Sequence, residues 1–151
     1  MLVYRIGRAK WAQALDGEGS RIYGGRWNHI GTLCVYTSES RALAVLEYTV
    51  NTNIADIPRS LKISTIEVPD DFLDHPVPSL PGDWKIAPAP ASTKDLGTKS
   101  LNANTHSVLR FPSAILPQEF NYLLNPLHPN SKAFKVIDVQ DFVYDIRIKT
   151  K

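Results

Sequence analysis

Glu47 stands inside the stretch "ALAVLEYTV" (42–50), whose other residues are apolar or carry substantial apolar surface. Taking an unpaired carboxylate out of water costs several kcal/mol even after relaxation. A marginally stable domain keeps such a group only for a partner or a purpose. Glu47 could pair with an arginine in the core, or its neighbours could leave that edge wet. A third role is chemical: in a pocket, a carboxylate stabilises the positive charge that builds as a glycosidic bond breaks through an oxocarbenium-like state.

Three more residues carry chemistry of their own. Arg26 follows Gly24 and Gly25 and precedes Trp27 and Asn28. A guanidinium on a loop whose backbone permits close approach suits a phosphate or pyrophosphate, and it equally suits bracing the loop by stacking on Trp27. Tyr36 ends a strand-like run, as a core or edge tyrosine or as a ring for a flat heterocycle. Ser113 follows a proline in "RFPSAILP", where extended or turn geometry is favoured. Asn121, Asn125 and His128 in "QEFNYLLNPLHPN" read first as turn residues and second as pocket lining. The four histidines (His29, His75, His106 and His128) show no metal-ligand spacing, so no metal is expected.

The elements that must position these residues follow from pattern. Residues 2–6 alternate well enough for a first strand, and a short helix is expected around 9–15. "DGEGSRIYGGRWNHIG" is rich in glycine and predicts a loop throughout. It is neither a Walker loop nor a dinucleotide fingerprint. "TLCVYT" predicts a strand, and Ser38 or Ser40 caps the helix that follows. On that helix Leu43, Leu46, Glu47 and Val50 obey the i, i+3, i+4, i+7 rule, so Glu47 lies on the apolar stripe and not opposite it. A strand is expected at 61–68, proline-rich loop with one short helical turn at 69–92, and a helix at 92–101 with Ser92 as cap and Asp95 three residues on. "SVLRFPSAIL", "AFKVIDV" and "FVYDIRI" look like sheet. The order predicts one α+β domain over 1–151.

Length and composition agree. The chain has 151 residues, 43% hydrophobic and 21% charged, with 17 basic against 15 acidic residues and a net charge of +2. No block of like charge suggests nucleic-acid binding, and no apolar run reaches the ~20 residues that span a bilayer. The first ten residues lack the regions of a signal peptide, and Cys34 is the only cysteine, expected in a strand. These features favour the cytoplasm.

"GGRWNHIGTLCVYTSESRALAVLEYTV" followed by "LRFPSAILPQEFNYLLNPLHP" resembles the RES domain family, toxins of bacterial toxin–antitoxin pairs. The family is named for an arginine, a glutamate and a serine, which match Arg26, Glu47 and Ser113. Tyr36 falls where the family carries a functional tyrosine. The resemblance implies an ADP-ribosyltransferase-like fold, with a split antiparallel sheet and flanking helices around an NAD cleft. It implies that NAD is a consumed substrate and no cofactor is retained, with cleavage at the nicotinamide–ribose bond by hydrolysis or phosphorolysis. In these roles Glu47 holds a ribose hydroxyl and stabilises the cation, and Arg26 grips the pyrophosphate. Tyr36 packs on the nicotinamide and Ser113 orients substrate by hydrogen bonding, with Trp27 and Asn121 beside them in the binding wall. A small helix-turn-helix antitoxin is implied as partner; it would carry the DNA contact.

The chain departs from the family at two places beside the expected pocket wall. Where the family usually has a glycine followed closely by a tryptophan, this chain has "LGTKSLNANT". Phe111 stands where valine is common. Other readings are a mono-ADP-ribosyltransferase acting on a protein, a non-catalytic binding module, and last a nuclease, which would need a metal cluster or basic groove. Many transferases of the fold place an acidic residue or glutamine two positions before the key glutamate. Val45 is there instead, which favours NAD breakdown.

Overall fold

The structure, a computed structural model, describes residues 1–149. Seven strands and three α-helices make an α+β fold: β1 (Leu2–Gly7), α1 (Glu18–Tyr23), β2 (Val35–Ser38), α2 (Arg41–Asn51), β3 (Ser60–Glu67), β4 (Leu73–Asp74), α3 (Ala91–Ala103), β5 (Val108–Pro112), β6 (Phe120–Leu124) and β7 (Lys135–Val143). The sheet order is β4-β5-β6-β2-β1-β3-β7, antiparallel except for the short β4–β5 pair. The seam between β1 and β2 is its weak point. There a single pair, Tyr4 opposite Ser38, joins the halves, whereas β2 and β6 pair over four residues. The expected split in the sheet lies at this seam.

Side-chain alternation along the strands sorts residues to two faces. Val3, Val35, Val108, Tyr122 and Leu124 form one core with Ile66, Val68 and Phe134. Their neighbours point the other way, into two separate clusters. Leu109, Phe111 and Leu123 pack with Trp27, Trp84 and Leu101 under α3. Ile6 packs with Ala44, Leu61 and Tyr144 under α2. The register pairs Tyr36 with Leu123 and Ser38 with Asn121, and Phe111 with Asn121. Paired residues share a face, so Tyr36, Ser38 and Asn121 all lie on the divided face, and Ser113 follows Phe111 by two. The gap between the two clusters is where these polar groups meet.

Several expectations are corrected. The glycine-rich stretch is not loop throughout, because α1 forms inside it. Gly17 (φ 76°) and Gly24 (φ 68°) end that helix in backbone conformations that side chains resist. Only a 3-10 turn at Ala9–Trp11 forms where a helix was expected. The β2 strand begins at Val35 and not at Thr32. Ser92 is not a cap: α3 starts after Pro90, and the Ser92 hydroxyl donates to Asp83 Oδ1 at 2.5 Å. The two carboxy-terminal segments are one strand, β7, followed by a 3-10 turn at Ile146–Ile148.

The expected cap of α2 is present, with the Leu43 N–H donating to Ser40 Oγ at 3.0 Å. At the other end Lys149 Nζ donates to the carbonyls of Thr49 and Thr52, a cation where the helix dipole favours one. Both ends of the Glu47 helix are therefore held.

Behind the divided face, His75 stacks on Phe111 with centroids 4.1 Å apart and its Nε2 lies 2.9 Å from Ser100 Oγ on α3. Burial pushes the His75 pKa below its ordinary 6.5, against the pull of nearby carbonyls and Asp74. The folded state then binds fewer protons than the unfolded one, so stability falls with pH below about 6.5 and levels off past the folded value. Thermal unfolding between pH 7 and 5 should show that slope. His75→Phe, which keeps the ring stack, should flatten it.

Candidate active site

A cleft of about 710 Å³ opens over the β1–β2 seam, within the range of small-molecule sites. Its walls include Arg26, Tyr36, Ser38, Glu47 and Asn121. Ala44, Glu47, Tyr48 and Asn51 enter from α2 at helical spacing. Val50 also borders the cleft and is 53% exposed. The apolar stripe of α2 is therefore partly a cleft wall and not wholly a core face, which accounts for a carboxylate on it.

Glu47 is fixed from β6 and from the residue just after β5. Ser113 Oγ donates to its Oε1 at 2.8 Å, and Asn121 Nδ2 donates to the same oxygen at 2.7 Å. Each donor is itself held. Asn121 Oδ1 accepts from Ser38 Oγ at 2.7 Å, which sets the amide orientation. Ser113 is fully buried, and its Oγ accepts from the N–H groups of Ile115 and Leu116 at 3.1 and 3.2 Å. These bonds leave Oε2 without a partner among the described residues. No arginine pairs with Glu47 within ion-pair distance there.

Arg26 reaches the cleft from the loop after α1. Its Nη1 donates to the carbonyls of Trp84 at 2.8 Å and Ile86 at 2.9 Å, which leaves the other donors of the fork open. It clasps the 84–86 turn and does not stack on Trp27. Burial pushes its pKa down, while the Glu47 carboxylate and Tyr36 pull it up.

Tyr36 anchors that loop. Its hydroxyl donates to Asn28 Oδ1 at 2.7 Å and accepts from the Trp27 N–H at 2.9 Å. A side chain at Gly25 would fall 2.5 Å from that hydroxyl, so glycine is required there. Burial holds the Tyr36 pKa well above the usual value, so the phenol stays neutral and its ring borders the cleft. Burial likewise pushes the Cys34 thiol up to about 12, which leaves it an inert core residue.

Trp27 is among the residues that line the cleft. Its indole is 2% exposed and stacks on Phe111 at 4.1 Å, with Trp84 beyond it at 6.5 Å. It supports the wall from behind and offers almost no surface to a ligand. Asn125 is structural, with Nδ2 donating to Leu101 O and Asn104 Oδ1, and His128 Nδ1 accepts from Asn130 N in a turn.

Asn28 is the residue whose importance the sequence hid. Fully buried, it donates through Nδ2 to the carbonyls of Ser20, His29 and Thr32 while Oδ1 holds Tyr36. Its position two after Arg26 is the only local signal. Among the described residues no group of His, Cys, Asp and Glu could hold a metal ion. Nor is any helix there long and apolar enough to cross a membrane.

Comparison with known proteins finds relatives over nearly the whole chain. The RES domain matches residues 2–145. The "Prs ADP-ribosylating toxin" of Sphingobium sp. is 38% identical over 93% of this chain and 89% of its own. The "Toxin Res" of Yersinia enterocolitica is 34% identical over 99% of this chain and all of its own. A chain of the M. tuberculosis MbcT–MbcA toxin–antitoxin complex superposes with a TM-score of 0.77. It covers 94% of this chain and 84% of its own at 20% identity, a likeness of fold.

Proposed function

This chain belongs to the RES domain family, and from that premise we propose that it is the toxin of a bacterial toxin–antitoxin pair, acting in the cytoplasm by consuming NAD. The observation that carries the reading is Glu47 on the cleft wall, held through one oxygen by Ser113 and Asn121 with the other unpartnered among the described residues. Toxins among its relatives support it.

In this reading the nicotinamide–ribose bond breaks with its electron pair leaving on the nicotinamide nitrogen, which neutralises the pyridinium. Positive charge then develops at the ribose carbon. The fixed Glu47 carboxylate accepts a hydrogen bond from a ribose hydroxyl and stabilises that charge, and its preset orientation avoids reorganisation at the moment of cleavage. Tyr36 presents its ring to the nicotinamide, and the free donors of Arg26 hold the diphosphate. Ser113 and Asn121 act through Glu47. Water or phosphate captures the cation through an oxygen lone pair and releases a proton to solvent. No covalent enzyme intermediate is needed.

A helix-turn-helix antitoxin is proposed as partner, in line with the toxin–antitoxin complex that shares this fold. A second reading, transfer of ADP-ribose to a protein, is favoured by the name of the Sphingobium relative. Nicotinamide release by purified protein, with and without phosphate, tests the choice. Free ADP-ribose means hydrolysis, its phosphate ester means phosphorolysis, and label retained on added cell protein means transfer. No nicotinamide release under any condition overturns all three.

Ser113→Ala should slow that release about 10-fold and cost about 1–2 kcal/mol of stability. It removes one of two bonds to Glu47 and strands the N–H groups of Ile115 and Leu116. Kinetics beside thermal unfolding would read both.

A further inference from the structure

The cleft wall carries three basic side chains, Arg5, Arg26 and Lys94, against a single acidic one, Glu47. Arg5 Nη2 is committed to the carbonyls of Trp11 and Ala12, and Arg26 Nη1 to those of Trp84 and Ile86. The Lys94 ammonium has no ion-pair partner among the described residues. The adjacent carboxylate, Asp95, pairs with His29, and Asp83, further back in the chain, accepts from Ser92. Lys94 is half-buried, on the first turns of α3.

Its position on the wall follows from its own helix. Gly97 lies one turn further along the same face and packs so closely that an added Cβ would fall 1.9 Å from the Trp27 carbonyl oxygen. That face of α3 is therefore pressed against the residue next to Arg26. Lys94 lines the cleft together with Ala87, Pro88 and Ala89. Like charges on a partly desolvated wall repel, and the field they make together favours a dianion.

We propose that Lys94 is a second phosphate-binding residue, gripping the diphosphate of the dinucleotide beside Arg26. The proposal rests on NAD being the substrate. The two cations divide the work by their chemistry. Arg26 offers a planar fork fixed by the 84–86 turn, and Lys94 offers a compact charge on a flexible stem that follows the second phosphate.

The test compares the wild type with Lys94→Met and Lys94→Arg, by NAD kinetics and by calorimetric titration with ADP-ribose and with adenosine. For Lys94→Met the expected result is a KM for NAD raised about tenfold with kcat held within about twofold. ADP-ribose affinity should fall by the same factor, adenosine affinity should not change, and Lys94→Arg should recover most of the loss. An unchanged KM overturns the proposal. So does a fall in kcat alone, or a rise confined to the KM for inorganic phosphate, which would assign Lys94 to the acceptor. If the wild type does not consume NAD, the cleavage reading fails, and the ADP-ribose titration still decides Lys94: weaker binding in Lys94→Met upholds it and equal binding overturns it.

Discussion

Glu47→Gln should release nicotinamide from NAD at least ~100-fold more slowly than the wild type, roughly 2.7 kcal/mol of lost transition-state stabilisation. The substitution is chosen because the scaffold survives it. Oε1 accepts from Ser113 Oγ and Asn121 Nδ2, and a glutamine carbonyl oxygen in that place accepts the same two bonds. Thermal stability should therefore stay close to that of the wild type. What disappears is the negative charge facing the ribose, which matters most when the ribose carbon is positive. The loss should fall on kcat more than on KM. Glu47→Ala should differ by also losing stability, since it leaves buried Ser113 and half-buried Asn121 without their acceptor. A Glu47→Gln protein as active as the wild type would make the carboxylate a brace of the cleft and nothing more.

The residues that read clearly in the sequence are those whose signal is local. Ser40 precedes an apolar periodic run and does cap α2. Glu47 breaks that run, and Arg26 stands in a glycine-rich loop. Both reach one cleft, with Tyr36 and Asn121. Elements with a misleading local signal were missed. The β6 strand is bracketed by turn-forming residues, and Tyr122, Leu123 and Leu124 are all buried because both faces of the sheet are covered. A strand buried on both faces shows no alternation to find. Local pattern alone reads Asn121 first as a turn residue, whereas strand register sets it opposite Ser38 and its amide reaches Glu47. The packing of the Trp27 indole is equally hidden. Its ring is drawn into the Phe111 and Trp84 stack, whose members lie far apart in sequence.

The same distance in sequence hides the close approach of Gly97 to the backbone of Trp27, and substituting Gly97 should produce a large loss of stability. In an exposed helix, glycine to alanine stabilises by up to about 1 kcal/mol, because alanine has the better helix propensity. Gly97→Ala should do the reverse here, lowering stability by about 3 kcal/mol and the Tm by roughly 10 °C. An added Cβ at Gly97 would lie 1.9 Å from the Trp27 carbonyl oxygen and 2.7 Å from its carbonyl carbon and Cβ. These are backbone atoms and the root of a side chain, so no rotamer change relieves the clash. Either α3 moves away or residue 27 does. Residue 27 is tied through its N–H to the Tyr36 hydroxyl and through its ring to Phe111. Helix α3 is tied through Ser100 to His75, which stacks on the opposite face of the same cluster. Strain at Gly97 therefore passes to Arg26 on one side and Lys94 on the other, and NAD turnover should fall with stability. Differential scanning calorimetry would give the Tm and nicotinamide release the turnover. A Gly97→Ala protein more stable than the wild type would mean that α3 packs less closely on Trp27 than this geometry requires.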